Sequence, residues 1–197
     1  QPKKFEDLLK PEWTGKLVWS SLPNPSGTAG FMGTILNHMG QERGMDFLHK
    51  LSKQKIANVA QSARQVLDQV IAGEYPLALM CFNNHTVISA LKGAPSDWLR
   101  IEPIPVAFDA VSVLKDAPHP NAAKLLMEFL FTREAQEIFA ANDYMPSDPT
   151  IKIKNPDLVP AIGNCATQVS TPEKARTDMT KGIGIYNERG KGADPRR

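Results

Sequence analysis

Two cysteines, Cys81 and Cys165, are all that this chain of 197 residues carries. That is too few for a disulfide framework; they allow one bridge at most, and their spacing does not say whether they meet. Cys81 lies in the apolar run Leu77-Ala78-Leu79-Met80-Cys81-Phe82, where a buried small hydrophobe is the default reading. Charge of one sign is lacking as well. There are 23 basic residues against 21 acidic ones and a net charge of +2. The basic residues are scattered, so no nucleic-acid partner is expected. No apolar run approaches the roughly 20 residues of a membrane helix. Gln1-Pro2-Lys3-Lys4 is not followed by the apolar core of a signal peptide, but a mature or truncated chain lacks one too, so export stays open. A nucleophile elbow, a phosphate-binding P-loop, a zinc-type Cys/His cluster and a dinucleotide fingerprint are all missing. The chain offers a place to hold something and little to react with it. No catalytic residue, cofactor or resident metal is expected.

What is present is an alternation of helices and strands. Hydrophobic residues make up 42% of the chain and charged ones 22%, ordinary values for a globular protein. Phe5 to Trp13 reads as a short helix stopped by Pro11, and Lys16 to Ser20 as a strand. Helices follow at about Ala29–Met39, closed by Gly40, and Glu42–Gln54. Ile56–Val59 is a short strand, Ser62–Ala72 a helix, and Pro76–Phe82 a strand apolar enough for burial on both faces of a parallel sheet. Asn84–Leu91 is a further helix. This order predicts an α/β layer structure. Beyond it, Pro103 and Pro105 favour an extended segment crossing between two lobes. A strand at Ala110–Leu114, one long helix from Pro118 through Ala140, and a weaker helix at Pro172–Tyr186 complete the pattern.

The candidate site centres on Asn24-Pro25-Ser26-Gly27-Thr28-Ala29-Gly30-Phe31-Met32-Gly33. This small polar turn joins a strand to a helix. Its first N–H groups lack intrahelical partners and sit at the positive end of the helix dipole, a ready place for an anion. Taken alone, Ser26 reads first as an N-cap. Asn83, Asn84, His85 and Thr86 follow a strand, where the ligand crevice of open α/β sheets lies; capping by Asn83 or Asn84 is the competing role. Ser62 and Arg64 follow another strand. Arg64 can hold a carboxylate or phosphate through two N–H groups, or lie solvated on its helix. His38 and His49 read as surface residues, and His119 as part of a turn.

Several stretches resemble extracellular solute-binding proteins of ABC importers, of the ferric-ion-binding type. Phe5-Glu6-Asp7-Leu8-Leu9-Lys10-Pro11-Glu12-Trp13-Thr14-Gly15-Lys16 is similar to their "DLLdPkWkGk" segment. Gly73-Glu74-Tyr75-Pro76-Leu77 is similar to their "GEY" turn, and Lys92-Gly93-Ala94-Pro95 to their "kGAP" turn. Ala117-Pro118-His119-Pro120-Asn121-Ala122-Ala123-Lys124, with Glu128-Phe129-Leu130 and Glu134-Ala135-Gln136, is similar to their "aPHPnAAk…eFl.s.eaQ" helix. The matches cover nearly all of the chain in the right order.

The resemblance implies an α/β protein of the type II periplasmic-binding-protein class, closing at a hinge around a solute and serving an ABC permease. Relatives carry a further half-lobe before the "DLLdP" segment. The expected division is therefore 1–103 as the main part of the C-terminal lobe, 104–147 as a returning portion of the N-terminal lobe, and 148–197 packing back on the C-terminal lobe. An exported, periplasmic protein is implied, and apolar surface left uncovered would favour self-association. Ferric-binding relatives use paired tyrosines after the "GEY" strand. Here that place reads Asn83-Asn84-His85-Thr86, which weighs against tyrosinate-bound iron(III). They also hold an anion at a Ser-Gly-small turn, which Ser26-Gly27-Thr28-Ala29 matches. The expected ligand is a small anionic or polar solute held by Ser26, Gly27, Thr28, Ala29, Ser62, Arg64, Asn84 and His85. Iron(III) with His85 in place of a tyrosine is the alternative, and an enzyme on a related fold comes last.

Overall fold

A computed structural model describes residues 1–22, 27–107, 109–159 and 165–189. Its centre is β1 (Leu17–Ser20), all four residues of which are buried. β1 pairs in parallel with β2 (Ala57–Val59) on one side and β3 (Leu77–Leu79) on the other. Alternation sends Leu17 and Trp19 to one face and Val18 and Ser20 to the other. Leu17 and Trp19 join Phe5, Leu8, Phe31, Ile35, Phe47, Leu48 and Leu51 in one apolar cluster. Leu17, Ile35 and Leu51 are fully buried, each worth about 1.5–3 kcal/mol in removed apolar surface.

α1 (Thr28–Met39) and α2 (Gln41–Leu51) connect β1 to β2. Gly40 separates them at φ +81°, a backbone angle glycine adopts without strain. α3 (Ala63–Ile71) connects β2 to β3 and packs on both β1 and β3. α4 (Asn83–Leu91) follows β3. The order β2-β1-β3 means that the chain leaves β1 towards β2 and then crosses back over it. The C-terminal ends of β1 and β3 therefore flank the topological switch point of the sheet.

The apolar run at 76–82 supplies a strand, but a shorter and less buried one than expected. β3 pairs with β1 alone among the described residues, and Leu77 and Ala78 are half-buried. A cavity of about 210 Å³ borders its other side, lined by Phe5, Leu79, Cys81, Trp98, Ile101 and Ile104 among others.

The remaining chain departs from expectation in three places. The predicted long helix is two: α5 (Pro120–Leu130) and α6 (Arg133–Ala141). Thr132 breaks it. Its backbone is extended and its hydroxyl accepts the Ala135 N–H, so it caps α6. Ala110–Leu114 forms no strand; it has no neighbouring strand to supply ladder hydrogen bonds among the described residues. A separate parallel pair is made by β4 (Ile104–Ala107) and β5 (Thr167–Ser170), the latter not foreseen in the sequence. The last helix, α7 (Pro172–Arg189), lies along α1. No helix among the described residues is long and apolar enough to cross a membrane.

Candidate functional site

Three connections leave the C-terminal edge of the central sheet, and each opens a helix there: α1 after β1, α3 after β2 and α4 after β3. The edge is tied together by the residues that leave it. Ser21 N–H donates to the Val59 carbonyl at 2.9 Å. The Ser20 hydroxyl donates to the Gln61 carbonyl at 2.6 Å and accepts the Leu22 N–H at 3.3 Å. Parallel strands and their helix N-termini thus present N–H groups and positive dipole ends to one side of the sheet.

Ser26 lies outside the described residues. Gly27 is the N-cap of α1 and offers no side-chain cap of its own. Thr28 and Ala29, expected to face a solute, are 2% and 1% exposed. Ala29 is covered by α7, whose Gly182 backs directly onto it.

Ser62 is the N-cap of α3 within a capping box. Its hydroxyl accepts the Gln65 N–H at 3.3 Å, and Gln65 Oε1 accepts the Ser62 N–H at 3.0 Å. Arg64 is tied to its surroundings. Nη2 donates to Asp68 at 2.7 Å; Nη1 donates to Ser89 Oγ at 2.8 Å and to the His85 carbonyl at 3.4 Å. It fastens α3 to two successive turns of α4, at His85 and Ser89.

Asn83 Nδ2 donates to the buried Leu158 carbonyl at 3.0 Å, pinning the start of α4 to the turn Pro156–Leu158. Asn84 and His85 are half-buried on that first turn. The His85 ring meets Phe82 edge-on at 5.4 Å, and its Nδ1 is buried with no hydrogen-bond partner. Burial first, then the Arg64 charge, push the His85 pKa down, while Asp68 opposes them. The imidazole is therefore neutral near pH 7. A neutral imidazole beside two helix starts can give or take one hydrogen bond without adding charge.

The structure brings Arg64 and His85 into contact and sets Ser62 on the same helix as Arg64. Among the described residues, no hydrogen bond links the first turn of α1 to Asn84 or His85; they share the sheet edge. No group of three His, Cys, Asp or Glu side chains among the described residues could hold a metal ion. Cys81 is a free thiol donating to the Ala63 carbonyl at 3.5 Å, and burial pushes its pKa up to about 12. Such a thiol is not a nucleophile.

Tyr186 of α7 was not foreseen. Its hydroxyl donates to Asn58 Oδ1 at 3.3 Å, next to the edge where β2 ends. Only the folding of a remote helix onto α1 places it there, and nothing in the local sequence signals a contact 128 residues away.

A Fe(3+)-binding periplasmic protein of Serratia marcescens is 24% identical over 197 residues, covering 96% of this chain and 56% of that protein. A sulfate-binding protein of Synechocystis sp. is 26% identical over 203 residues, covering 94% of this chain and 55% of its own length. The chain thus spans little more than half of either relative. In fold it is similar to the periplasmic binding protein AfuA from Actinobacillus pleuropneumoniae, solved with exogenous fructose-6-phosphate bound. That likeness has a TM-score of 0.76 at 17% identity and covers 98% of this chain and 61% of that one. The α/β fold of type II periplasmic binding proteins is the one expected from the sequence. With residues 1–166 matched by the family model of the bacterial extracellular solute-binding proteins, this chain belongs to that family.

Proposed function

We propose that this chain supplies one wall of a cleft that captures a small anionic solute for an ABC importer. The observation that carries the reading is the convergence of the α1, α3 and α4 N-termini on one edge of a parallel sheet, at its switch point. Ser26 and the N–H groups that open α1 at Gly27 would hold the anionic group, with the buried Thr28 and Ala29 backing that turn and Asn84 and His85 setting the neighbouring contacts. Ser62 and Arg64 keep α3 and α4 in place beneath them. An oxyanion suits this site because it needs N–H donors and no cation of its own. The relatives support the class: one is named for sulfate and one structure holds a sugar phosphate. An exported location and a membrane permease partner go with that reading, as does non-catalytic action.

The Fe(3+)-binding relative favours iron(III) as a second reading. It has less support, because the donors after β3 are amides and one imidazole, and iron(III) prefers anionic oxygen. Calorimetric titration with inorganic phosphate, sulfate, fructose-6-phosphate and iron(III) separates the two. Heat with an anion, reduced by Ser26→Ala, is the expected result. Heat with iron(III) alone would replace the first reading by the second, and no heat with any of them would end both.

A further inference from the structure

α1 and α7 meet along one stripe of each helix. On α1 the stripe is Ala29, Gly33 and Asn37; on α7 it is Asp178, Gly182 and Tyr186, each set four residues apart. A Cβ at Gly182 would come 2.5 Å from the Ala29 carbonyl oxygen, and one at Gly33 would come 2.8 Å from Asp178 Cβ. Asn37 Nδ2 donates to Asp178 Oδ2 at 2.6 Å. Gly182 therefore faces the start of α1 and Asp178 its later turns, so the helices run antiparallel. Tyr186, one turn past Gly182, reaches beyond the α1 N-terminus.

There it finds a polar anchor. The phenol donates to Asn58 Oδ1, which also accepts the Trp19 indole N–H. Trp19 and Asn58 are register partners on β1 and β2. Burial pushes the phenol's pKa up, with Ser21, the first residue after β1, opposing the shift. The stripe packs closely, and the Asn37–Asp178 hydrogen bond holds it at the later turns of α1; the Tyr186 hydrogen bond holds it at the other end, over the α1 N-terminus. We propose that Tyr186 is a positioning residue of the solute site: its hydroxyl, anchored on Asn58, clamps α7 over the first turn of α1 and so holds that turn's N–H groups in place. The consequence for binding rests on the anionic-solute reading above; the clamp itself does not.

Hydrogen exchange on the full chain tests the clamp without ligand, and calorimetry with inorganic phosphate tests its role. Tyr186→Phe keeps the ring and removes the hydroxyl. The expected result is a Tm lowered by no more than the loss of one hydrogen bond, faster exchange at the Thr28 to Phe31 amides, and phosphate affinity lowered up to about tenfold as the turn loosens. Unchanged exchange would overturn the clamp, whatever the ligand does. Faster exchange with full phosphate affinity would overturn the positioning role. Wild-type protein that binds no phosphate, sulfate or fructose-6-phosphate refutes the anionic reading, while exchange still decides the clamp.

Discussion

Gly182 of α7 lies so close to Ala29 of α1 that a Cβ there would sit 2.5 Å from the Ala29 carbonyl oxygen and 2.8 Å from its Cα. The atoms met are backbone, which cannot swing aside as a side-chain tip can. Gly182→Ala is therefore expected to push α7 away from α1 and lower stability by about 1–3 kcal/mol, the usual effect of overpacking. Urea unfolding with the slope held in view measures it. A wild-type midpoint would show that the two helices are not packed this closely.

Ser62 is expected to act as a cap. Ser62→Ala should cost about 1 kcal/mol of stability, as loss of a good N-cap does. Phosphate affinity, followed by calorimetry, should stay at the wild-type value. A large loss of affinity with unchanged stability would make Ser62 a ligand contact instead.

His85 should make stability depend on pH. Its folded-state pKa lies below the ordinary 6.5, so the unfolded chain takes up the proton more readily. The stability is present above pH 6.5 and is lost as pH falls through the depressed folded value. His85→Gln should flatten the fall in Tm between neutral pH and about pH 5. Phosphate should also raise the His85 pKa, read by NMR, because a nearby anion favours the imidazolium. An unmoved His85 resonance at saturating phosphate would remove it from the site.

Asp7 governs the first turn of the chain. Its carboxylate accepts from Lys10 Nζ at 2.9 Å, from the Lys3 N–H at 2.9 Å and from the Lys4 N–H at 3.2 Å. The Lys10 bond first, then the backbone N–H groups, lower its pKa from 3.8 to about 2. The folded pKa is depressed, so this stabilisation is present above 3.8 and lost as pH falls through about 2. Asp7→Asn should lower Tm at neutral pH, and the gap from wild type should close as pH approaches 2. A gap that persists there would assign the effect to shape and not to charge.

Leu125 and Leu126 on α5 are 67% and 57% exposed, and Leu114 and Phe131 nearby in sequence are exposed as well. α5 has no buried residue at all. Light scattering on the chain by itself is expected to show concentration-dependent association, reversed by Leu125→Lys with Leu126→Lys. A monomer at every concentration would end the idea of self-association.

The sequence determined the elements around the central sheet. β1, α1, α3 and α4 follow from apolar periodicity and from punctuation at Gly40, Ser62 and Gly73, signals that act within a few residues. The family likeness followed from short segments in order, and the candidate turn from small residues between a strand and a helix. Tertiary structure decided what these pieces meet. The expected long helix is split because Thr132 prefers to cap. Arg64 serves α4 because Ser89 and the His85 carbonyl lie within its reach, which no spacing reveals, whereas its pair with Asp68 follows from helical spacing. The polar turn reads as open in the sequence, yet Thr28 and Ala29 are buried, and α7 returns from the end of the chain to pack upon Ala29. Gly33 and Gly182 look like ordinary small residues until the two helices touch. Contacts of that range are set by shape and by loop closure over more than a hundred residues, and local chemistry carries no record of them.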